Sequence, residues 1–299
     1  MVANPGHHCG KTGTITVIAF PKSGRTWLIE MLRAVEGRNG SYEVIGSHRE
    51  SAHGHPFLVF DWQLIDNYKW WMKTRTPLHP FDYLGCVVVL IRNPMDVMVS
   101  SYYERLYRVY GLLKAAKLKS NATLDAYVSN TQQHGGLRTL LAFMNLWVPL
   151  ALEEPNRAMV VSYEALKLCP MHALWSIMNG LVKARASCSS LRTAVEEGDF
   201  AKLKAMGAAS KEPHFAQLTR SEDSAKFRKG RAFAAHEAIS QAALTVAQSE
   251  LQRLRPEVRR ALQNAGALCF RGGRSVGPRW MHEPSAAEIS CHLQEDGKK

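Results

Sequence analysis

The chain has 299 residues, of which 46% are hydrophobic, and this length and composition suit one large α/β domain. Its formal net charge of +12 suits an anionic ligand and exceeds what one such ligand needs. The sequence contains no run of about eighteen apolar residues, so an integral membrane segment is not expected. It also contains no arginine–aromatic stripe and no nucleic-acid-binding motif, so nucleic acid is not an expected partner.

The two ends of the chain differ in composition from the part between them. Residues 1–13 lack the apolar core of a signal peptide, and a flexible N-terminus is expected there. Glycine, proline and charge predict a flexible tail over 272–299, which leaves a single domain over 14–271. The six cysteines are scattered without metal-ligand spacing. Without a signal segment they are expected to be reduced thiols in a cytoplasmic protein.

Strand-like and helix-like patterns alternate along the chain. Short apolar runs predict strands at about 14–20, 42–46, 86–91 and 157–162. Apolar residues at helical spacing predict helices near 25–36, 94–110, 137–151, 170–185 and 237–253. This alternation predicts a parallel sheet with helices on both faces.

The most informative segment joins the first predicted strand to the first predicted helix. It has the sequence Phe20-Pro21-Lys22-Ser23-Gly24-Arg25-Thr26-Trp27. A strand, a tight Ser-Gly turn and a helix start bring backbone N–H groups together, and the helix dipole favours an anion there. Lys22 adds a positive charge. Because the Walker signature G-x-x-x-x-G-K-[ST] is absent, the segment predicts a phosphate-binding loop that differs from a standard ATP loop.

A second segment follows the strand-like run at 86–91 and begins with Arg92-Asn93-Pro94. Asn93 and Pro94 are typical of a helix N-cap and a first helical residue. The Arg92 guanidinium can bind a phosphate through its fork of N–H donors. Ser100 would lie about two turns into the helix and add a hydroxyl donor.

Together these segments resemble the sulfotransferases that use 3′-phosphoadenosine 5′-phosphosulfate (PAPS). Pro-Lys-Ser-Gly-x-Thr-Trp is similar to their 5′-phosphosulfate loop. Arg92 and Ser100, eight residues apart, match the 3′-phosphate motif R-[ND]-P-x-D-x-x-x-S. Segments at 161–164, 199–204 and 227–230 resemble further family segments and occur in the family's order.

The resemblance implies a P-loop-like three-layer α/β fold, with a central parallel sheet flanked by helices. It implies transfer of a sulfonyl group from PAPS, the co-substrate, to a hydroxyl or amine of a small-molecule acceptor. Lys22 would neutralise charge at the bridging oxygen and Ser100 would tune Lys22, while lysine and arginine would make a metal unnecessary. The residues implied to bind the nucleotide are Lys22, Ser23, Gly24, Arg25, Thr26, Trp27, Arg92, Ser100, Tyr163, Phe200, Arg228, Lys229 and Gly230.

The acceptor must lose a proton, and the family usually supplies a histidine near the end of a second strand. One placement is His48, after the run at 42–46. The other is Arg75, at the histidine position of the K-T-H-x-P segment found in cytosolic animal enzymes. Arginine cannot accept the proton because its pKa is above about 12. His48 is therefore the predicted base, with Lys73 as a charge-stabilising helper. Neighbouring histidines that could substitute are His53, His55 and His79.

Two other functions stay open at this stage. A P-loop nucleotide kinase or NTPase would need magnesium and an acidic residue at a strand end, where this chain has Arg92. A non-catalytic basic binding protein with a decayed site is compatible with the open question of the base.

Residues 241–250 are similar to part of a family dimer motif, K-x-x-x-T-V-x-x-x-E, with Gln241 in place of lysine. A homodimer and an amphipathic surface helix both stay open.

Overall fold

The computed structural model describes residues 13–36, 43–46, 85–104, 123–131, 136–184, 186–199, 201–203, 205 and 235–264. The strands in these ranges are β1 (Thr14–Ala19), β2 (Glu43–Gly46), β3 (Cys86–Ile91) and β4 (Ala158–Ser162). The α-helices are α1 (Arg25–Glu36), α2 (Pro94–Glu104), α3 (Leu124–Ser129), α4 (Leu137–Glu153), α5 (Tyr163–Leu168), α6 (Pro170–Trp175), α7 (Cys188–Glu197), α8 (Gln241–Leu251) and α9 (Pro256–Asn264).

These strands form one parallel sheet in the order β2-β1-β3-β4. Ala19 at the end of β1 pairs with Leu90 of β3, and Ile91 pairs with Ser162 at the end of β4. Parallel strands point the same way, so their carboxyl ends lie at one edge of the sheet. Both predicted phosphate-binding segments leave the sheet at that edge, from the neighbouring strands β1 and β3.

The strands read as apolar runs because both faces of the sheet are covered. Every residue of β3 is buried, as expected for a strand in the middle of a parallel sheet. Its side chains alternate between two buried clusters. Val87 and Val89 pack with α4 and α8, whereas Val88 and Leu90 pack with α1 and α7. The predicted three-layer α/β fold is confirmed.

The predicted helices are confirmed in part, and several short ones were not predicted. The helix expected near 170–185 begins as α6 and continues as a π-helical segment, Ser176–Val182. The helix expected at 94–110 is described as far as Glu104. The helices that were not predicted are α3, α5, α7 and α9. Two of them, α3 and α5, have six residues each, too few to show apolar periodicity. Several of the four carry a clear N-cap. The capping side chains that accept a hydrogen bond from the first turn are Thr123, Ser162 and Ser187.

The expectation of reduced thiols is wrong for the cysteines that the structure describes. Cys86, Cys169 and Cys188 are each disulfide-bonded, and no free thiol is present in the described ranges. Spacing along the chain gave no sign of this, because a disulfide depends on the separation of two side chains in the folded protein.

Helices long and apolar enough to cross a bilayer are absent from the part of the chain that the structure describes.

Candidate active site

The loop between β1 and α1 makes a sharp turn at the carboxyl edge of the sheet. The Ser23 N–H donates to the Phe20 carbonyl at 3.1 Å. Helix α1 begins two residues later, and the Leu28 N–H donates to the Gly24 carbonyl at 3.1 Å. Lys22 has a φ of 72° and Gly24 a φ of 94°. A left-handed conformation costs a lysine about 1–2 kcal/mol, and such strain is typical of ligand-binding turns.

Gly24 is required by close packing as well as by its backbone angle. A Cβ on Gly24 would lie 2.5 Å from Cδ2 of Tyr163, which is closer than Cβ atoms approach a neighbouring atom unless something shifts. Tyr163 is the first residue of α5, directly after β4. The turn is therefore pressed against the end of the sheet, and its N–H groups are held in place at the start of α1.

Ser23 lies inside this turn with an unsatisfied hydroxyl. The residue is 0% exposed, and its Oγ has no hydrogen-bond partner among the described residues. A buried hydroxyl without a partner costs about 1–3 kcal/mol. Together with the N–H groups at the start of α1, this hydroxyl fits an anion whose oxygen would complete its hydrogen bonding.

Arg92 follows β3 and reaches the same turn. Its Nη1 donates to the Lys22 carbonyl at 3.0 Å, and its Nη2 lies 3.8 Å from Oδ2 of Asp96. The guanidinium carbon lies 4.1 Å from the centre of the Tyr163 ring. A flat aromatic face on one side and hydrogen bonds along the edge fix the plane of the guanidinium. The two predicted anion-binding groups are therefore direct neighbours.

Asn93 caps α2 as the sequence predicts. Its Oδ1 accepts from the N–H of Met95 at 2.9 Å and from that of Asp96 at 3.3 Å. Its own N–H donates to Oε1 of Glu164 at 2.9 Å. Burial raises the pKa of Glu164, and the Asn93 N–H works in the opposite direction. This buried carboxyl ties the end of β3 to α5, which carries Tyr163.

Asp96 is held from two sides in the first turn of α2. It is 4% exposed, and its Oδ1 accepts from the Ala235 N–H at 2.9 Å, while its other oxygen faces Arg92. The family motif contains this aspartate, but the sequence gave no indication of its partner 139 residues away.

Glu104 is a site residue that the motifs do not contain. Its Oε1 lies 3.3 Å from Nζ of Lys22, and the two side chains are 26% and 14% exposed. Glu104 stands four residues after Ser100, which places both on one face of α2. That spacing was the available signal, but it does not reveal that the face meets Lys22.

Trp27 is packed into the core beside Tyr163. It is 7% exposed, and its Nε1 donates to the Gly198 carbonyl at 2.6 Å. The Trp27 and Tyr163 rings meet edge to face with centres 5.5 Å apart, and Nζ of Lys167 lies 5.4 Å from the Trp27 ring. Trp27 and Tyr163, both implied by the family resemblance to bind the nucleotide, are thus adjacent, and their contact with the nucleotide stays a prediction.

The remaining predicted site residues divide into two groups. Arg25 and Thr26 form the first residues of α1, and Ser100 lies within α2. The predicted residues that lie outside the described ranges are His48, Phe200, Arg228, Lys229 and Gly230. Arg75 and Lys73, considered for the base and its helper, also lie outside them.

Comparisons with known proteins agree with this geometry. Residues 13–254 match the family model described as the sulfotransferase domain. No curated protein sequence matches the chain. Mouse sulfotransferase SULT7A1, solved in complex with PAP, has 14% identity and a TM-score of 0.56, over 84% of this chain and 88% of that one. Retinol dehydratase, solved with androsterone and the inactive cofactor PAP, has 16% identity and a TM-score of 0.52, over 80% of each chain. At these identities the two structures show a shared fold.

Proposed function

This chain belongs to the sulfotransferase family, and we propose that it transfers a sulfonyl group from PAPS to a hydroxyl or amine of a small-molecule acceptor. Use of PAPS follows from the family, while the acceptor class and the role of each residue are our proposal. The observation that carries it is the 3.0 Å hydrogen bond from Arg92 to the Lys22 carbonyl. This contact brings the Arg92 guanidinium to the backbone of the Lys22 turn, so that the two predicted phosphate-binding segments meet at one sheet edge.

The turn before α1 is suited to the 5′ end of PAPS. The N–H groups of residues 23–27 and the hydroxyls of Ser23 and Thr26 would hold the 5′-phosphate. The support for this placement is the buried Ser23 Oγ, which lacks a partner in the described part of the chain. Lys22 would hold its ammonium beside the bridging oxygen, where negative charge develops.

Arg92 is suited to the 3′-phosphate. Its side chain is 13% exposed, so an ion pair formed there would be largely desolvated and strong. The Tyr163 ring beneath the guanidinium would keep the fork oriented. Ser100 on α2 would add a hydroxyl donor, and Arg228, Lys229 and Gly230 stay predicted contacts.

PAPS supplies an activated sulfonyl group, whose transfer leaves 3′,5′-adenosine diphosphate (PAP). The acceptor oxygen or nitrogen forms a bond to sulfur as the bond from sulfur to the bridging oxygen breaks, and the bonding electrons stay on the phosphate. Lys22 would offset that charge. His48 is the proposed base that takes the acceptor proton. No metal is proposed in this step, because Lys22 and Arg92 carry the positive charge.

The solved structures support a small-molecule acceptor. Retinol dehydratase is complexed with androsterone, and its fold is shared by this chain. No observation favours a nucleotide kinase or NTPase, since β3 is followed by Arg92 and the Walker signature is missing.

Calorimetric titration tests the proposal. PAP in the presence of EDTA should bind tightly, whereas ATP with magnesium should bind weakly. Binding of ATP with magnesium but not of PAP would reject the proposal. A transfer assay with phenol, alcohol and amine acceptors, run with PAPS and EDTA, would then define the acceptor and test the metal independence.

A homodimer through α8 is a further part of the proposal. Val246 on this helix is 41% exposed, whereas Glu250 is bound within the chain by two hydrogen bonds from Arg138, at 2.9 and 2.7 Å. Sedimentation of the wild type and of Val246→Asp tests it, because an apolar contact at Val246 would be lost in the variant. A monomeric wild type would reject the dimer.

The cytoplasmic location also stays a prediction. Disulfide bonds at Cys86, Cys169 and Cys188 are unusual in a reducing compartment. Alkylation of thiols in intact cells, before any reduction, measures whether the three cysteines are oxidised where the protein works. Full oxidation would reject the cytoplasm as its location.

A further inference from the structure

We propose that Glu104 is a positioning residue that holds the Lys22 ammonium and releases it to the nucleotide when PAPS binds. The inference rests on the proposed function. It concerns an ion pair between the turn before α1 and the end of α2, with Lys22 Nζ 3.3 Å from Glu104 Oε1. Glu104 acts through Lys22 and needs no contact with the acceptor.

The backbone of Lys22 is fixed, so its side chain has a limited choice of partners. Its φ is 72° and its carbonyl accepts from Arg92. Both features hold the Cα of Lys22 at the turn, and only the side chain can move. The ammonium therefore has to leave Glu104, or share it, in order to face a leaving oxygen at the start of α1.

Arg92 and Lys22 each lie beside a carboxylate, but the two carboxylates differ in how far they are exposed to solvent. Asp96 lies beside Arg92, is 4% exposed and is bonded to the Ala235 N–H. Glu104 lies beside Lys22 with a side chain 26% exposed. Water can solvate Glu104 if Lys22 withdraws, whereas Asp96 is locked in the core. The Lys22–Glu104 pair is therefore the exchangeable one.

A carboxylate at the position of Glu104 should weaken the binding of an anionic ligand. The phosphates of the nucleotide and the Glu104 carboxylate compete for one ammonium. Binding must weaken the ion pair, so its loss should favour the nucleotide. Return of Lys22 to Glu104 after the reaction would favour release of PAP.

A double-mutant cycle on the dissociation constant of PAP tests the exchange. The four proteins are the wild type, Glu104→Gln, Lys22→Met and the double variant. Glu104→Gln should tighten PAP binding about fivefold more in the wild-type background than in the Lys22→Met background, which is the size of a partly exposed ion pair. Direct repulsion between Glu104 and the phosphates is common to both backgrounds and cancels.

Glu30→Gln is the matched control, because it removes the same charge from a surface pair on α1, with Arg33 Nη1 at 3.3 Å. It should leave PAP binding unchanged. Lys22→Gln repeats the cycle if Lys22→Met does not fold. Equal effects of Glu104→Gln in both backgrounds, or weaker PAP binding in Glu104→Gln, would overturn the inference while leaving the proposed function intact. A failure of all four proteins to bind PAP would overturn both.

Discussion

Replacing Arg92 by alanine should weaken PAP binding by about 2–5 kcal/mol, the cost of breaking a largely desolvated ion pair. The estimate applies because the Arg92 side chain is 13% exposed and its plane is fixed by Tyr163 at 4.1 Å. The loss in affinity is about thirtyfold to a few thousandfold. Arg92→Lys keeps the charge but loses the fork of donors, so it should recover part of this loss.

The variant also has a cost in the stability of the fold. Removing Arg92 takes a charge partner from the buried Asp96, at 3.8 Å, and a donor from the Lys22 carbonyl. The free energy of unfolding should fall by about 1–3 kcal/mol. Arg92→Ala combined with Asp96→Asn should regain part of that stability without regaining affinity. This separates the structural role of Arg92 from ligand binding.

Calorimetry with two ligands gives the decisive comparison. PAP and 5′-AMP share the adenosine and the 5′-phosphate, but 5′-AMP lacks the 3′-phosphate. The Arg92→Ala variant should bind PAP much more weakly than the wild type and should bind 5′-AMP with little change. Equal losses for both ligands would show that Arg92 only maintains the Lys22 turn. No loss for either would remove Arg92 from the binding site.

Four further changes test the turn and the buried carboxyls. Ser23→Ala should raise the free energy of unfolding by about 1 kcal/mol, because it removes a buried hydroxyl without a partner in the described residues, and should weaken PAP binding. Gly24→Ala should lower the free energy of unfolding by about 1–3 kcal/mol, because of its φ of 94° and its clash with α5. Burial raises the pKa of Glu164, so the folded protein binds more protons than the unfolded one in the acid range. The stability of the wild type relative to Glu164→Gln should therefore fall as the pH rises through that range. Hydrogen bonding to Arg138 lowers the pKa of Glu250, so stability relative to Glu250→Gln should be full at neutral pH and fall as the pH drops.

Urea unfolding measures all of these stabilities, and the pH series runs from neutral into the acid range. The two glutamine variants control for each other, since each removes one carboxylate and their pH trends are opposite. Parallel trends would contradict the assigned environments. A Ser23→Ala protein that binds PAP as the wild type does would show that this hydroxyl is not a ligand, and a stable Gly24→Ala protein would show that the turn has room for a Cβ.

Local patterns in the sequence were enough for the sheet and for the cap of α2. The runs that form β1, β3 and β4 are mainly apolar because both faces of a parallel sheet are buried. Asn93 before Pro94 predicted a helix start, because the Asn93 side chain accepts a hydrogen bond from the N–H of Met95, only two residues away. Several of the short helices that were not predicted carry the same kind of signal, a serine or threonine cap, which apolar periodicity alone does not register.

The contacts that build the site were decided by tertiary structure. Glu104 with Lys22, Glu164 with Asn93 and Asp96 with Ala235 join residues far apart in the chain. The same holds for the disulfide-bonded cysteines, which were expected to be reduced thiols because no signal segment was found. Such pairs depend on how close two segments come once helices pack on the sheet, and no local preference encodes that distance.

The sequence by itself therefore determined the strands, the turn before α1 and the starts of α1 and α2, and it predicted phosphate-binding groups in two of these segments. That is so because turn geometry, capping and burial act over a few neighbouring residues. Only the tertiary structure decided that Arg92 reaches the Lys22 carbonyl and that a carboxylate on α2 holds the Lys22 ammonium. Charge interactions act through space, and the packing of separate segments sets their distances.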